Sequence, residues 1–166
     1  MPPFDRRIRR TRKGDYEVRI PANERAVLRA LAGELRELLP TDDPSLERLF
    51  PPAYADDPEK NEEYARLMHD DLLAERTSAL DAFERTVDAR RLTEDELLAW
   101  MGAVNDLRLV LGTRLEVTEE MYERPIDDHG PNAHQMAIYH YLGFLEEQMV
   151  AALSNTLDPA GTGADE

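Results

Sequence analysis

The run from Trp100 to Val117, W-M-G-A-V-N-D-L-R-L-V-L-G-T-R-L-E-V, constrains this chain more than any other stretch. It is the second half of a helix expected to start near Thr93, which offers an N-cap hydroxyl and is followed by Glu94, Asp95 and Glu96. Carboxylates in a first helical turn meet its unpaired N–H groups and the positive end of the helix dipole. Beyond that turn Leu97, Leu98, Trp100, Met101, Val104, Leu107, Leu109, Val110, Leu111 and Leu115 leave hardly a polar side. A helix apolar on most faces belongs at the centre of a bundle. Into this run the sequence sets Asn105, Asp106, Arg108 and Arg114, together with Gly102 and Gly112. A helical glycine costs about 1 kcal/mol relative to alanine, so two of them imply that a neighbour comes close.

Other helices must cover this one, and the spacing places them. Val27, Leu28, Leu31, Leu35, Leu38 and Leu39 form a stripe at helical spacing after Pro21-Ala22-Asn23-Glu24, with Asn23 as the expected cap and Pro40 as the stop. Residues 42–57 are a proline-punctuated connection with one helical turn, Ser45 to Phe50, pinned by Leu46, Leu49 and Phe50. Pro58 opens a long helix expected over about 59–91, its buried face running through Tyr64, Leu67, Met68, Leu72, Leu80, Phe83 and Val87. Residues 118–131 read as a loop with at most one turn at 119–122. A last helix then runs from Pro131 or Asn132 to about Asn155, burying Met136, Tyr139, Leu142, Leu145, Met149 and Leu153. Ahead of all four, residues 4–12 and 15–20 form a small hairpin around Lys13-Gly14-Asp15, with Tyr16, Val18 and Ile20 on one face. The expected fold is therefore mostly α: a bundle-like domain of about four main helices over residues 1–157, with an N-terminal β-hairpin at about 4–20. Residues 158–166 form a disordered acidic tail.

The connection between the long helix and the central one is short, so the two should pack antiparallel. Arg76 and Arg108 each lie 16 residues from Leu92 and sit at nearly the same height. This gives an expected charge cluster between the helices, Glu75 with Arg108 or Arg76 with Asp106. Its plain role is to fix helix register; its alternative role is to recognise a partner.

Charge is unevenly distributed. The net charge is −15, yet residues 1–13 carry five Arg, one Lys and one Asp, a net +5 against −20 for residues 14–166. An acidic body repels phosphate backbones, so weak or no direct DNA binding is expected unless the basic strip Arg6, Arg7, Arg9, Arg10, Arg12 and Lys13 acts alone near DNA. The same strip also suits a solvated, charged edge strand. There is no cysteine, which excludes disulfides, thiolate zinc sites and cysteine nucleophiles. No apolar run approaches the roughly 18 residues of a membrane span, and no apolar signal core follows the basic start, so a cytoplasmic location with no membrane contact is expected.

Catalytic patterns are thin. His69, His129, His134 and His140 show no ligand spacing, and neither His69-Asp70-Asp71 nor Asp127-Asp128-His129 points its side chains to one place. No phosphate-binding glycine loop or nucleophile elbow occurs. The chain reads as non-enzymatic, with no cofactor and no metal. An apolar central helix can carry more apolar surface than one domain covers, which leaves a homodimer open.

Three segments together resemble a known family. Val104-Asn105-Asp106-Leu107-Arg108-Leu109-Val110-Leu111-Gly112-Thr113, preceded by Trp100 and followed by Leu115-Glu116-Val117-Thr118, is similar to the signature of a family of actinobacterial proteins long known only as a domain of unknown function. Asp43 to Pro51, ending at Tyr54, resembles its connector. Asp128-His129-Gly130-Pro131 with Tyr139, Leu142, Leu145, Glu146 and Val150 to Leu153 resembles its closing helix. The family is associated with the AosR type of oxidative-stress regulator. The resemblance implies transcriptional control through binding of an alternative sigma factor or RNA polymerase, raising cysteine-biosynthesis genes under control of an intramolecular disulfide. This chain departs at that last point, because without cysteine it cannot form the switch, and the family's redox residues carry over to no position. Family genes also tend to lie near those of a Clp-protease adaptor, which gives the alternative: an interaction module of Clp-type regulated proteolysis.

Overall fold

A computed structural model of the protein describes residues 6–50, 58–116, 130 and 132–154, with the backbone alone for 58–61. Over these residues the element order is β1 (Ile8–Arg10), β2 (Tyr16–Val18), α1 (Ala22–Leu38), a 3-10 turn (Pro44–Leu46), α2 (Pro58–Thr86), β3 (Arg91–Leu92), α3 (Glu94–Arg114) and α4 (Ala133–Ser154). The fold is mostly α, four main helices with a small antiparallel sheet. The expected hairpin residue Phe4, the connector end at Pro51 and Tyr54, the turn at 119–122, the Asp127-Asp128-His129 cluster and the tail from 158 lie outside the described residues.

α3 begins as its sequence dictates. Thr93 accepts from the Glu96 N–H at 3.1 Å, and the Glu96 side chain accepts from the Thr93 N–H at 2.8 Å, closing a capping box. α2 and α4 flank α3. Trp100, Ala103, Val104, Leu107 and Val110 are buried on α3, and Leu142, Leu145 and Met149 on α4. Two expected glycine contacts differ in closeness. A Cβ on Gly112 would lie 3.1 Å from the Tyr139 ring, whereas one on Gly102 would meet Ala79 Cβ at an ordinary 3.7 Å.

The hairpin is present and acquires a third strand. Ile8 pairs with Val18, and Tyr16 pairs with Leu92, giving the order β1-β2-β3. The expected continuation of α2 to residue 91 is therefore corrected. The helix ends at Thr86, and Arg91–Leu92, read as a mere connection, is a strand. A two-residue strand has no periodicity to recognise; its existence depends on β2 offering an open edge.

Further corrections concern faces and caps. α1 is preceded by Pro21, in extended backbone and without a side-chain cap, so Asn23 is not the cap. Val27 is exposed rather than part of the buried stripe. Along α2 and just past its end the expected buried face holds at Leu80, Phe83 and Val87, but Tyr64, Leu67 and Met68 face outward, Leu67 with 61% of its surface exposed. The reason is length: α2 has 29 residues against 21 in α3, so its N-terminal turns have less helix beside them to pack on. The connector turn packs as expected, with Leu46 and Leu49 buried and Phe50 partly so.

Candidate functional site

The polar residues set into α3 point in different directions. Trp100, fully buried, donates its indole N–H to Thr86 Oγ1 at 2.7 Å and takes the edge of Phe83 with ring centroids 4.8 Å apart. Burying a tryptophan requires a partner for that N–H, and Thr86 at the end of α2 supplies it.

Asp106, only 2% exposed, faces α2 and is ion-paired with Arg76. The Arg76 Nε–H also donates to the Leu49 carbonyl at 3.1 Å, so one guanidinium ties α2 to α3 and to the connector. Burial pushes the Asp106 carboxyl up to about 6, outweighing the opposing pull of Arg76, with Glu75 adding a smaller push. Of the two expected pairs, Arg76 with Asp106 is present. Glu75 with Arg108 is not: Glu75 is exposed, and Arg108 Nη1 bonds Glu146 Oε2 on α4 at 3.1 Å. Helix geometry gives the reason. Residues two apart on a helix differ by about 200°, so Asp106 and Arg108 cannot both face α2.

Arg108 also lies over the Tyr139 ring, 5.1 Å from its centroid, and its Nε lies 3.4 Å from where a Gly143 Cβ would sit. Burial raises the Glu146 carboxyl above its usual range, and Arg108 opposes the shift. Asn105 and Arg114 stand on the exposed side. The signature residues thus divide into a buried tryptophan anchor, one pair toward α2, one pair toward α4, and an exposed remainder.

The basic strip is partly neutralised. Arg7 forks onto Glu24 through Nε at 3.2 Å and Nη2 at 3.1 Å, and Arg9 pairs with Glu17 at 2.9 Å. Arg6, Arg12 and Lys13 are exposed and Arg10 is half-buried.

Two features escaped the sequence reading. Arg25 is buried, and every donor bond described for its side chain goes to a backbone carbonyl: Nε to Ile20 at 2.7 Å, Nη1 to Val87 at 2.6 Å and to Ala89 at 2.9 Å, and Nη2 to Val18 at 3.2 Å. It ties the end of α2 to the hairpin, and desolvation lowers its affinity for the proton. Arginine at position 25 also interrupts no apolar stripe; only the convergence of carbonyls in space distinguishes it. The second feature is Tyr141, whose hydroxyl donates to Glu24 Oε1 at 2.8 Å, so that Arg7, Glu24 and Tyr141 link the residue ahead of β1 to α1 and α4. Burial, then the bond to Glu24, holds the Tyr141 hydroxyl protonated far above its usual range.

Among the described residues no group of three His, Asp or Glu side chains converges to hold a metal ion, and no helix is long and apolar enough to cross a membrane. His69 stacks on Phe50 with ring centroids 4.4 Å apart.

The profile of a family described as "Domain of unknown function (DUF2017)" matches residues 3–153. The chain is 33% identical over 136 residues to the putative oxidative stress regulator AosR of Mycobacterium leprae, covering 69% of this chain and 60% of that protein. It is 34% identical over 128 residues to the oxidative stress regulator AosR of Mycobacterium tuberculosis, covering 67% of this chain and 58% of that protein. The chain therefore spans about three fifths of the length of these curated relatives. No solved structure matches it significantly.

Proposed function

The chain belongs to the DUF2017 family, and on that premise we propose that it is a non-enzymatic regulator in an oxidative-stress response, acting by binding an alternative sigma factor of RNA polymerase. The observation that carries this reading is identity of 33–34% over two thirds of the chain to proteins named oxidative stress regulator. Charge supports it: a protein of net charge −15 attracts a basic, DNA-binding partner and is repelled by DNA itself. The ion pairs of Arg7 and Arg9 further reduce what the N-terminal strip offers to phosphates. With no cysteine, the chain takes no part in sensing through its own thiols, so the stress signal reaches it by another route.

The test is affinity capture of the tagged protein from oxidant-treated and untreated cells, with bound proteins identified by mass spectrometry. A sigma factor enriched equally in both conditions is the expected result; absence of sigma factor and polymerase subunits from both overturns the reading. The second reading, an interaction module of Clp-type proteolysis, is favoured by one observation, the exposed apolar side chains of Tyr64, Leu67 and Met68 on α2. Clp components captured without polymerase, and retained in about 0.5 M NaCl where exposed charges are screened, would establish it instead.

A further inference from the structure

The groove between α1 and α3 encloses about 370 Å³, within the range of roughly 300–1,000 Å³ typical of binding clefts. Its walls are apolar residues of two helices. Leu31, Leu35 and Leu38 line the α1 side, and Leu107, Val110 and Leu111 the α3 side, with Leu142 of α4 below. Leu31 to Leu38 spans seven residues, about 10 Å or two helical turns, which is the length over which a helix presents anchors at i, i+3 or i+4, and i+7. Leu31, Leu38 and Leu111 are only partly buried and keep surface for a further contact.

The rim gives the occupant its chemistry. Glu34 and Glu37 border the groove and are exposed. Among the described residues neither has an ion-pair partner, while the arginines of the same helix are engaged elsewhere: Arg29 with Asp88, Arg36 with Asp81 and Glu84, and Arg25 with buried carbonyls. Among the described residues that line the groove, Arg114 is the one cation. It acts on Asp43, whose carboxyl is held below its usual range chiefly by the Ser45 hydroxyl and N–H, with Arg114 a smaller contributor. The α1 arginines are thus turned away from the groove, and its α1 edge is left acidic.

We propose that this groove is the docking surface for a basic amphipathic helix of a protein partner, its apolar side chains entering between α1 and α3 and its Lys or Arg side chains meeting Glu34 and Glu37. A second copy of this chain fits poorly, because a two-fold contact through this surface brings the acidic rim against itself. This locates the partner contact of the regulator reading and rests on it for the partner's biological identity; the groove's own chemistry is tested with a peptide.

The probe is a fluorescein-labelled helical peptide of about 14 residues with Leu at i, i+3, i+4 and i+7 and Lys elsewhere, followed by anisotropy against the full chain. Charge reversal with Glu34→Lys and Glu37→Lys together should weaken binding about 10-fold or more at low salt. The same reversal at exposed Glu62 and Glu63, which do not line the groove, should change it less than about 2-fold. A peptide with Ser in place of Leu should lose binding, and Leu38→Asp in the protein should do the same with helix content by circular dichroism unchanged. Equal loss from the two reversals, or undiminished binding of the Ser peptide, reduces the effect to non-specific charge attraction and overturns the proposal. A concentration-dependent dimer in sedimentation, dissociated by Leu38→Asp, overturns it in favour of a second copy. Because peptide binding and sigma-factor capture are independent readouts, either can fail while the other stands.

Discussion

The two ends of α3 use the same kind of sequence differently. At its N-terminal end, Trp100, Phe83, Thr86 and the Arg25 clamp form a closed region in which each of these side chains' polar groups meets a fixed partner, a backbone carbonyl or the Thr86 hydroxyl. At its C-terminal end, beyond Val104, the helix buries a carboxylate at Asp106, sends Arg108 the other way to Glu146, and borders the groove it shares with α1. Both ends are apolar in sequence, yet Trp100 and Val104 are wholly buried whereas Leu109 and Leu111 are only partly so. Polar groups satisfied by backbone carbonyls secure the fold at one end; at the other the ion pairs face α2 and α4, and the groove lies on the α1 side with apolar residues along its walls.

The largest effect is expected from opening the closed end. Arg25→Met removes the donors for four carbonyls and should cost about 3 kcal/mol, measured as the shift in urea-unfolding free energy. Arg29→Met, which breaks only the exposed pair with Asp88, should cost less than about 0.5 kcal/mol. Similar losses from both would erase the distinction between the closed region and an exposed ion pair.

A smaller effect with a distinctive pH signature is expected at the other end. Burial raises the Asp106 carboxyl from the ordinary 3.8 to about 6, so between about pH 4 and 6 the native state binds more protons than the unfolded chain. Stability contributed by this group therefore rises as pH falls through that window. Asp106→Asn, neutral throughout and still able to accept from Arg76, should be up to about 2 kcal/mol more stable than the parent at pH 7, the gap closing by pH 4. A variant markedly less stable at pH 7 would show that the pair with Arg76 outweighs desolvation and acts as a register lock.

The glycines sharpen the comparison at the scale of a single methyl group. Gly102→Ala meets only Ala79 at 3.7 Å and should raise stability by about 0.5–1 kcal/mol through helix propensity. Gly112→Ala gains the same propensity but presses on the Tyr139 ring at 3.1 Å, with Arg108 stacked on that ring, and should be neutral or destabilising by up to about 1 kcal/mol. Thermal denaturation of the two variants side by side is the check.

Much of the fold was legible because its cues are local. The Thr93–Glu96 box, the alternation Tyr16-Val18-Ile20, and the stripes of α1 and α4 depend on residues a few positions apart. The Arg76–Asp106 pair was legible as well, since a short connection fixes the relative height of two antiparallel helices. Illegible were the features that depend on which neighbour stands opposite. The same counting suggested Glu75 with Arg108, yet α4 supplied Glu146. Tyr64, Leu67 and Met68 carry a core-like pattern, yet they stand exposed on α2.

By itself the sequence determined four helices, a hairpin, an acidic body, the absence of thiol chemistry and a family. Those follow from period, capping, composition and residue order, which act within a few residues or over the whole chain at once. Tertiary structure alone decided that Arg91–Leu92 becomes a strand, that Arg25 gathers four carbonyls, that Arg108 turns to α4, and that α1 keeps Glu34 and Glu37 at a groove edge while its arginines are engaged elsewhere. Each of those outcomes is a choice among partners of similar chemistry, made by which elements reach contact distance, and no periodicity along one strand or helix encodes what lies across from it.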